Sequence, residues 1–140
     1  MLVDLESLKA TLQNEILWGA VVSQPSDQVV FPELREGWTR TAKALKAFTQ
    51  AQNELRAYLD RLPSSPLEDV EWSPSRLKQK IQWEGGLVAT IVYGIDASQI
   101  TEAELSRLWR LADEAYRAAD GEVTTLEAQI KAMIVADLRV

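Results

Sequence analysis

The side chains that could do chemistry in this sequence are mainly carboxylates, because it contains neither cysteine nor histidine. Without cysteine there is no thiolate nucleophile, no zinc–sulfur site and no disulfide. Without histidine the chain lacks the group best matched to proton transfer near neutral pH. Carboxylates occur in pairs at Asp113 and Glu114 and at Glu102 and Glu104. Such pairs could in principle bind Mg²⁺ or share a proton.

These pairs are better interpreted as solvated helix faces. A hard cation needs several converging oxygens, whereas adjacent residues on a helix diverge by about 100°. Glu104 also belongs to Thr101-Glu102-Ala103-Glu104, a capping box that predicts a helix start. The chain has no Walker loop, no dinucleotide fingerprint and no nucleophile elbow, and Gly85-Gly86 is interpreted as a turn. We therefore expect no catalytic residue, no metal ligand and no cofactor, and a carboxylate enzyme is the weakest hypothesis.

Composition predicts an ordinary globular protein. The chain has 140 residues, 46% of them hydrophobic and 26% charged, which fits one domain. Its formal net charge of −6 disfavours phosphate backbones and anionic lipids, so we expect no nucleic-acid and no membrane partner. The first residues are acidic where a secretory signal would be basic, which predicts a cytoplasmic location, or a virion if the origin is a phage.

Apolar spacing predicts three helices, over about 4–23, 33–62 and 101–137. The second helix has an apolar register that alternates steps of four and three, which is typical of a helix packed along its whole length. That register consists of Leu34, Trp38, Leu45, Phe48, Leu55, Leu59 and Leu62, with Thr41 and Gln52 in the vacant positions. At 1.5 Å per residue this helix is ~45 Å long, so we expect the third helix to be its antiparallel partner.

The third helix shows one irregularity. Its register is assigned to Leu105, Leu108, Ala112, Ala115, Ala119, Val123, Leu126, Ile130 and Met133. The step from Ala119 to Val123 is four where the alternation requires three, and it coincides with Asp120-Gly121. Such an insertion predicts a kink or break near 120–121. No internal repeat is apparent in the sequence.

The segment over about 67–96 permits two interpretations. Ser73-Pro74 could open a helix. Against a helix, basic residues would follow at its positive end, Gly85-Gly86 would interrupt it, and the stretch from Val88 to Tyr93 is rich in β-type residues. These observations favour a small β-hairpin or meander over about 70–93, with the glycine pair as its turn.

The five tryptophans are the informative residues for binding. Trp72 and Trp83 lie in the proposed β insert and would either be buried under the helices or form an exposed patch that marks a partner site. Trp109 lies beside the register of the third helix and could be core or interface. The C-terminal stretch is apolar on more than one side, which requires more than one neighbour. Its candidate interface residues are Ile134, Val135 and Leu138.

The predicted fold is mainly α: an antiparallel helical bundle of two long helices and a shorter N-terminal helix, with a small β insert. By shape alone it resembles phage head-to-tail connectors and cellular scaffolds. The leading hypothesis is a non-enzymatic assembly or adaptor protein that binds copies of itself and docks to a larger protein complex. The alternative is an acidic monomeric regulator or inhibitor that occupies a basic surface of a target protein.

Overall fold

The computed structural model of the chain describes residues 2–63 and 72–138, apart from the side chains of Tyr93 and Leu138. The predicted mainly helical class is confirmed. The helices are α1 (Leu5–Gln13), α2 (Leu17–Ser23), α3 (Pro32–Arg61), α4 (Pro74–Glu84), α5 (Leu87–Tyr93) and α6 (Ala103–Leu138), with 3-10 turns at Ser26–Gln28 and Ala97–Gln99. Within the described ranges, β structure is limited to a single parallel bridge between Val3 and Val29.

The predicted β insert is wrong, because its residues form α4 and α5. Ser73 caps α4: its hydroxyl accepts a hydrogen bond from the backbone N–H of Arg76, and Pro74 follows at the first helical position. Gly85 ends the helix in the left-handed region, with φ 86°, and its N–H returns to the carbonyl of Gln82. The glycine pair therefore separates two helices instead of turning a hairpin.

Two features offset the local preferences that favoured strands. The ammonium of Lys78 donates to the carbonyl oxygen of Leu62 at 2.7 Å, just beyond the end of α3, where a helix dipole favours a cation. In α5, Leu87 and Ile91 are buried one turn apart. This burial outweighs the weak helix propensity of the β-branched residues. Residues 70 and 71 of the predicted β insert lie outside the described residues, and Trp72 has φ 51°, which is not a strand conformation.

The first predicted helix, 4–23, is two helices. Asn14 caps the end of α1, and Glu15 follows with φ 56°, in the left-handed region. The turn shifts the apolar face of α2, so that Leu17 and Val21 are buried while Ile16 is 54% exposed. A single helix would have buried Ile16 instead. Apolar periodicity alone did not reveal this break, because apolar residues recur at helical spacing on both sides of it.

Helix α6 runs without a break from Ala103 to Leu138, so Asp120-Gly121 does not interrupt it. The error in the sequence prediction lies in the register. Trp109 is fully buried, with 0% exposure, and it occupies the position of the apolar register that the sequence analysis assigned to Leu108. With Trp109 and Tyr116 in the register, the alternation of four and three continues past Gly121 and no insertion remains.

The chain forms two compact units. The first unit contains the chain up to Ala47 and from Arg117 onwards; the second contains Phe48–Tyr116. In the first unit α3 runs antiparallel to α6, as Thr41 donates to the carbonyl of Glu122 at 3.3 Å. The core of the second unit is formed by Leu55, Leu59, Leu77, Leu87, Ile91, Ile95, Ile100, Leu105, Leu108, Trp109 and Ala112.

The chain contains an internal repeat, which the sequence analysis missed. The order of helix, short helix, 3-10 turn and long helix occurs twice. In each copy a buried tryptophan, Trp38 or Trp109, stands seventh in the long helix. The indole N–H of Trp38 donates to the carbonyl of Gln24 at 2.8 Å, and that of Trp109 to the carbonyl of Ile95 at 3.2 Å. Each acceptor lies 14 positions before its tryptophan.

The two long helices share one register along their length. Nine buried or half-buried positions in α3 and directly after it have counterparts in α6 at a constant offset of 71 residues. These pairs are Leu34/Leu105, Trp38/Trp109, Thr41/Ala112, Leu45/Tyr116, Phe48/Ala119, Gln52/Val123, Leu55/Leu126, Leu59/Ile130 and Leu62/Met133. Each unit thus combines the first part of one long helix with the last part of the other.

Gly121 is a weak point of α6 that can be removed. A Cβ built on Gly121 meets no heavy atom within 4 Å, so alanine fits there without a clash. We expect Gly121→Ala to raise the free energy of unfolding by about 0.5–1 kcal/mol, because alanine loses less backbone entropy in a helix. Chemical denaturation measures this change.

The matched control is Gly37→Ala in α3. There the new Cβ would lie 3.0 Å from Oε1 of Gln129, so the neighbouring side chain must shift and the gain should shrink or vanish. Equal stabilisation by both substitutions would contradict the packing at Gly37.

Candidate functional site

Trp83 is the most exposed large apolar side chain of the described residues. Its side chain is 85% exposed on α4, whereas Trp38 and Trp109 are fully buried. Seven residues earlier on the same helix face stands Arg76, which is exposed and pairs with no carboxylate of the described residues. Lys80 lies between them and forms an ion pair with Glu84. The outer face of α4 is therefore aromatic and basic in a chain that is acidic overall.

A cleft of about 550 Å³ lies beside α4 within the second unit. We call it the basic cleft. Its apolar lining comes from Leu59, Ile81 and Leu87, and its charged lining from Arg56, Lys78 and Asp60. Arg56 and Lys78 against Asp60 leave the cleft lining with a net charge of +1. At about 100° per residue, Arg76, Lys80, Glu84 and Trp83 lie on the side of α4 away from this cleft. These four residues of the outer face of α4, which have a net charge of +1, make up what we call the basic surface.

A second cleft, of about 290 Å³, lies within the first unit. We call it the acidic cleft. Glu15, Asp120 and Glu127 line it, together with the indole of Trp18, and no lysine or arginine does so. Glu127 forms an ion pair with Lys131 at 2.8 Å, while Glu15 and Asp120 have no cationic partner in the part of the chain that the structure describes. This cleft presents negative charge beside an aromatic ring.

The two clefts are built from equivalent elements of the internal repeat. Each is lined by the junction of a short helix pair, α1–α2 or α4–α5, and by the distal part of a long helix. Glu127 in the acidic cleft and Arg56 in the basic cleft are separated by the repeat offset of 71 residues. The repeat therefore has a concavity at both places, and the charge at this equivalent position is opposite.

A third concavity, in the first unit, is apolar and uncharged. It has a volume of about 280 Å³ between α1 and α2, and Leu2 and Ile16, which are 62% and 54% exposed, form part of its lining. No charged side chain lines it.

The structure separates the residues predicted as interface candidates. Trp83 is exposed, whereas Trp109 is buried in the core of the second unit, so Trp109 is not an interface residue in the folded chain. Trp72 is half-buried against the same core. On α6, Ile134 is half-buried and Val135 is 47% exposed. The side chain of Leu138 lies outside the described residues.

Sequence reasoning missed the acidic cleft entirely. The sequence predicted one continuous helix over about 4–23, and Glu15 received no role. The break that brings Trp18 and Glu15 to the cleft depends on the left-handed backbone of Glu15, a conformation that non-glycine residues seldom adopt. Arg56 and Glu127 could have been found from the sequence through the repeat, since their positions in the two long helices correspond.

The carboxylates singled out in the sequence hold structural positions. Glu102, and not Thr101, caps α6: its carboxylate accepts from the backbone N–H groups of Glu104 at 3.2 Å and of Leu105 at 2.8 Å. The helix therefore begins with a carboxylate N-cap, one residue after the predicted threonine, and Glu104 binds Arg107 instead of closing a capping box. Burial raises the pKa of Tyr58, and a hydrogen bond to the Glu102 carboxylate adds to the rise. No three acidic side chains of the described residues converge on a point where a metal ion could bind.

Glu104 forms an ion pair with Arg107, whose Nε donates to Oε2 at 2.9 Å. This hydrogen bond, aided by the positive charge, lowers the pKa of Glu104. Because the folded-state pKa lies below the ordinary value, the stabilisation is present above the ordinary pKa and is lost as the pH falls through the lowered one.

We expect Arg107→Gln to raise the pKa of Glu104 back toward its ordinary value, as followed by NMR titration of the side-chain carboxyl. Arg110→Gln, which removes a guanidinium three residues further along, should leave that pKa unchanged. A Glu104 titration that is identical in wild type and Arg107→Gln would contradict the ion pair.

No described helix combines the length and apolar character needed to span a bilayer. Comparison with known proteins found no matching family model, no matching curated protein and no matching solved structure.

Proposed function

We propose that the protein is an assembly or adaptor protein that associates with itself and docks to a larger protein complex. The observation that carries this proposal is the 85% exposure of Trp83 on a helix that buries Leu77 in the core of the second unit. A tryptophan held in water forgoes the gain of burying a side chain of about 150–250 Å². A partner that covers the ring recovers that gain, and tryptophan is among the residues enriched in interface hot spots.

The surroundings of Trp83 support contact with a protein. A folded helix presents the ring with Arg76 one heptad earlier on the same face and with the Lys80–Glu84 ion pair beside it. An apolar centre bordered by polar and charged groups is the usual composition of a protein–protein interface.

The test is the molar mass in solution, measured by light scattering across a range of concentrations. We expect the wild type to exceed 15.7 kDa and Trp83→Gln to shift toward the monomer. The matched control is Leu111→Gln, since Leu111 is an exposed apolar residue of the same unit, with 40% exposure, but lies on α6. A wild type that stays monomeric at every concentration would overturn self-association, and an equal effect of both substitutions would remove the special role of Trp83.

The acidic cleft favours a second candidate function, that of a monomeric regulator that occupies a basic surface of a target. A lysine-rich helical peptide would serve as the probe. On this hypothesis it binds to the monomer, binding weakens as salt rises, and Asp120→Lys abolishes it. Unchanged binding to Asp120→Lys would show that the cleft is not the contact.

A further inference from the structure

We propose that the partner of the basic surface is the acidic cleft of a second copy of this chain, so that copies associate head to tail. This inference rests on the proposed self-association and adds its two surfaces. The basic surface comprises Trp83, Arg76, Lys80 and Glu84 on the outer face of α4. The acidic cleft is the concavity around Trp18 that Glu15, Asp120 and Glu127 line.

Charge complementarity selects a second copy as the occupant. The basic surface carries two basic side chains and one carboxylate, a net charge of +1 within a chain of net charge −6, so it attracts acidic surfaces. The acidic cleft is such a surface, and each copy of the chain supplies one. Two basic surfaces facing each other would repel, and so would two acidic clefts, which disfavours a symmetric pairing of either with itself.

The contents of the acidic cleft match the side chains that α4 presents. Arg76 is exposed and has no carboxylate partner among the described residues, and a guanidinium can both pair with carboxylates and stack on an indole such as Trp18. At about 290 Å³ the cleft is at the small end of the range for ligand sites, which suits one inserted side chain. Trp83, on the same face of α4 as Arg76, would then be covered beside it.

Contact between two different surfaces is heterologous, so each added copy leaves one surface of each kind open. Assembly would continue until a ring closed or a chain of copies ended. The same contact would also join an open end of the assembly to a larger complex. The open basic surface at one end would bind an acidic surface of that complex, and the open acidic cleft at the other end would bind a basic one.

Two variants, each lacking one surface, test the inference. Arg76→Ala combined with Trp83→Ala removes the exposed groups of the basic surface, and Asp120→Lys reverses one charge of the acidic cleft. All three positions are exposed, so the fold should be kept, as checked by circular dichroism and unfolding midpoints. Light scattering then gives the molar mass of each variant alone and of their equimolar mixture.

We expect each variant alone to be a monomer of 15.7 kDa at concentrations where the wild type associates, with at least a tenfold weaker self-association. The mixture should form a species of twice that mass and no larger, because only one pair of intact surfaces remains. Raising the salt concentration should dissociate it.

Three results would overturn the inference in distinguishable ways. A monomeric wild type would remove self-association as well, and with it the first candidate function. Undiminished association of Asp120→Lys would leave the proposed function standing and exclude the acidic cleft. A mixture that remains monomeric would show that the two surfaces are not each other's partners.

Discussion

Replacing Trp109 by alanine should lower the free energy of unfolding by about 3–5 kcal/mol, the range for truncating a large buried aromatic residue. Trp109 has 0% exposure and stands among the core residues of the second unit. Its indole N–H also satisfies the carbonyl of Ile95, at 3.2 Å, and the truncation leaves that acceptor without its donor. Denaturation by urea measures the loss.

Trp83→Ala is the matched control, because it removes the same side chain from the same unit. At 85% exposure the ring contributes little to the folded state, and we expect a change within about 0.5 kcal/mol. A large loss of stability from Trp83→Ala would mean that the ring is held in the fold, and it would contradict the proposed docking role. Similar effects of the two substitutions would contradict the assignment of Trp109 to the core.

The corresponding substitution in the first unit, Trp38→Ala, should have an effect of similar size. Trp38 also has 0% exposure, and its indole N–H donates to the carbonyl of Gln24 at 2.8 Å, which fixes the connector after α2 to α3. Truncation opens a cavity and leaves that carbonyl unpaired, so we expect a loss of about 3–5 kcal/mol. Amide hydrogen exchange should show the earliest loss of protection in α1 and α2.

Trp38→Phe separates the two contributions. Phenylalanine keeps most of the apolar contact and lacks the N–H, so a loss of about 1–3 kcal/mol is expected from the unpaired carbonyl and the smaller ring. If Trp38→Phe is as destabilising as Trp38→Ala, the hydrogen bond outweighs the packing. If neither lowers stability, Trp38 is not a core residue.

The sequence was sufficient to place α3, since its register repeats for more than four heptads and its observed bounds, Pro32–Arg61, lie within one residue of the predicted ones. Such regularity leaves few alternatives, because every fourth or third residue must face the same neighbours. The burial of Trp38 follows from the same register. The exposure of Trp83 does not, because it depends on whether α4 is a helix at all.

The β insert was a failure of local reasoning. Basic residues, a glycine pair and β-branched residues each argued against a helix over 74–93, and each was offset by a contact or burial that the sequence does not show. Lys78 reaches the carbonyl of Leu62, 16 positions earlier, and Gly85 ends one helix before another begins. Tertiary contacts of this kind outweigh intrinsic preferences of a few tenths of a kcal/mol to about 1 kcal/mol per residue.

The internal repeat was overlooked because little residue identity remains between its copies. Among the clearest matches are Gln28 with Gln99, the Glu33-Leu34 pair with Glu104-Leu105, and Trp38 with Trp109. The two copies share the spacing of their buried positions, which a comparison of residue identities cannot detect. Noticing the matched tryptophans would have placed Trp109 in the core and removed the predicted kink.

Each unit is built from the first part of one long helix and the last part of the other, and this arrangement has a consequence for synthesis on the ribosome. The first unit needs the chain from Arg117 onwards, so α1, α2 and the start of α3 are made long before the residues that complete their core. Thr41 and Glu122, which touch in the finished protein, are 81 residues apart in sequence. Closing contacts at that separation is slow and leaves apolar surface uncovered meanwhile. The emerging N-terminal half must therefore stay soluble as an incomplete unit until the residues from Arg117 onwards have been made.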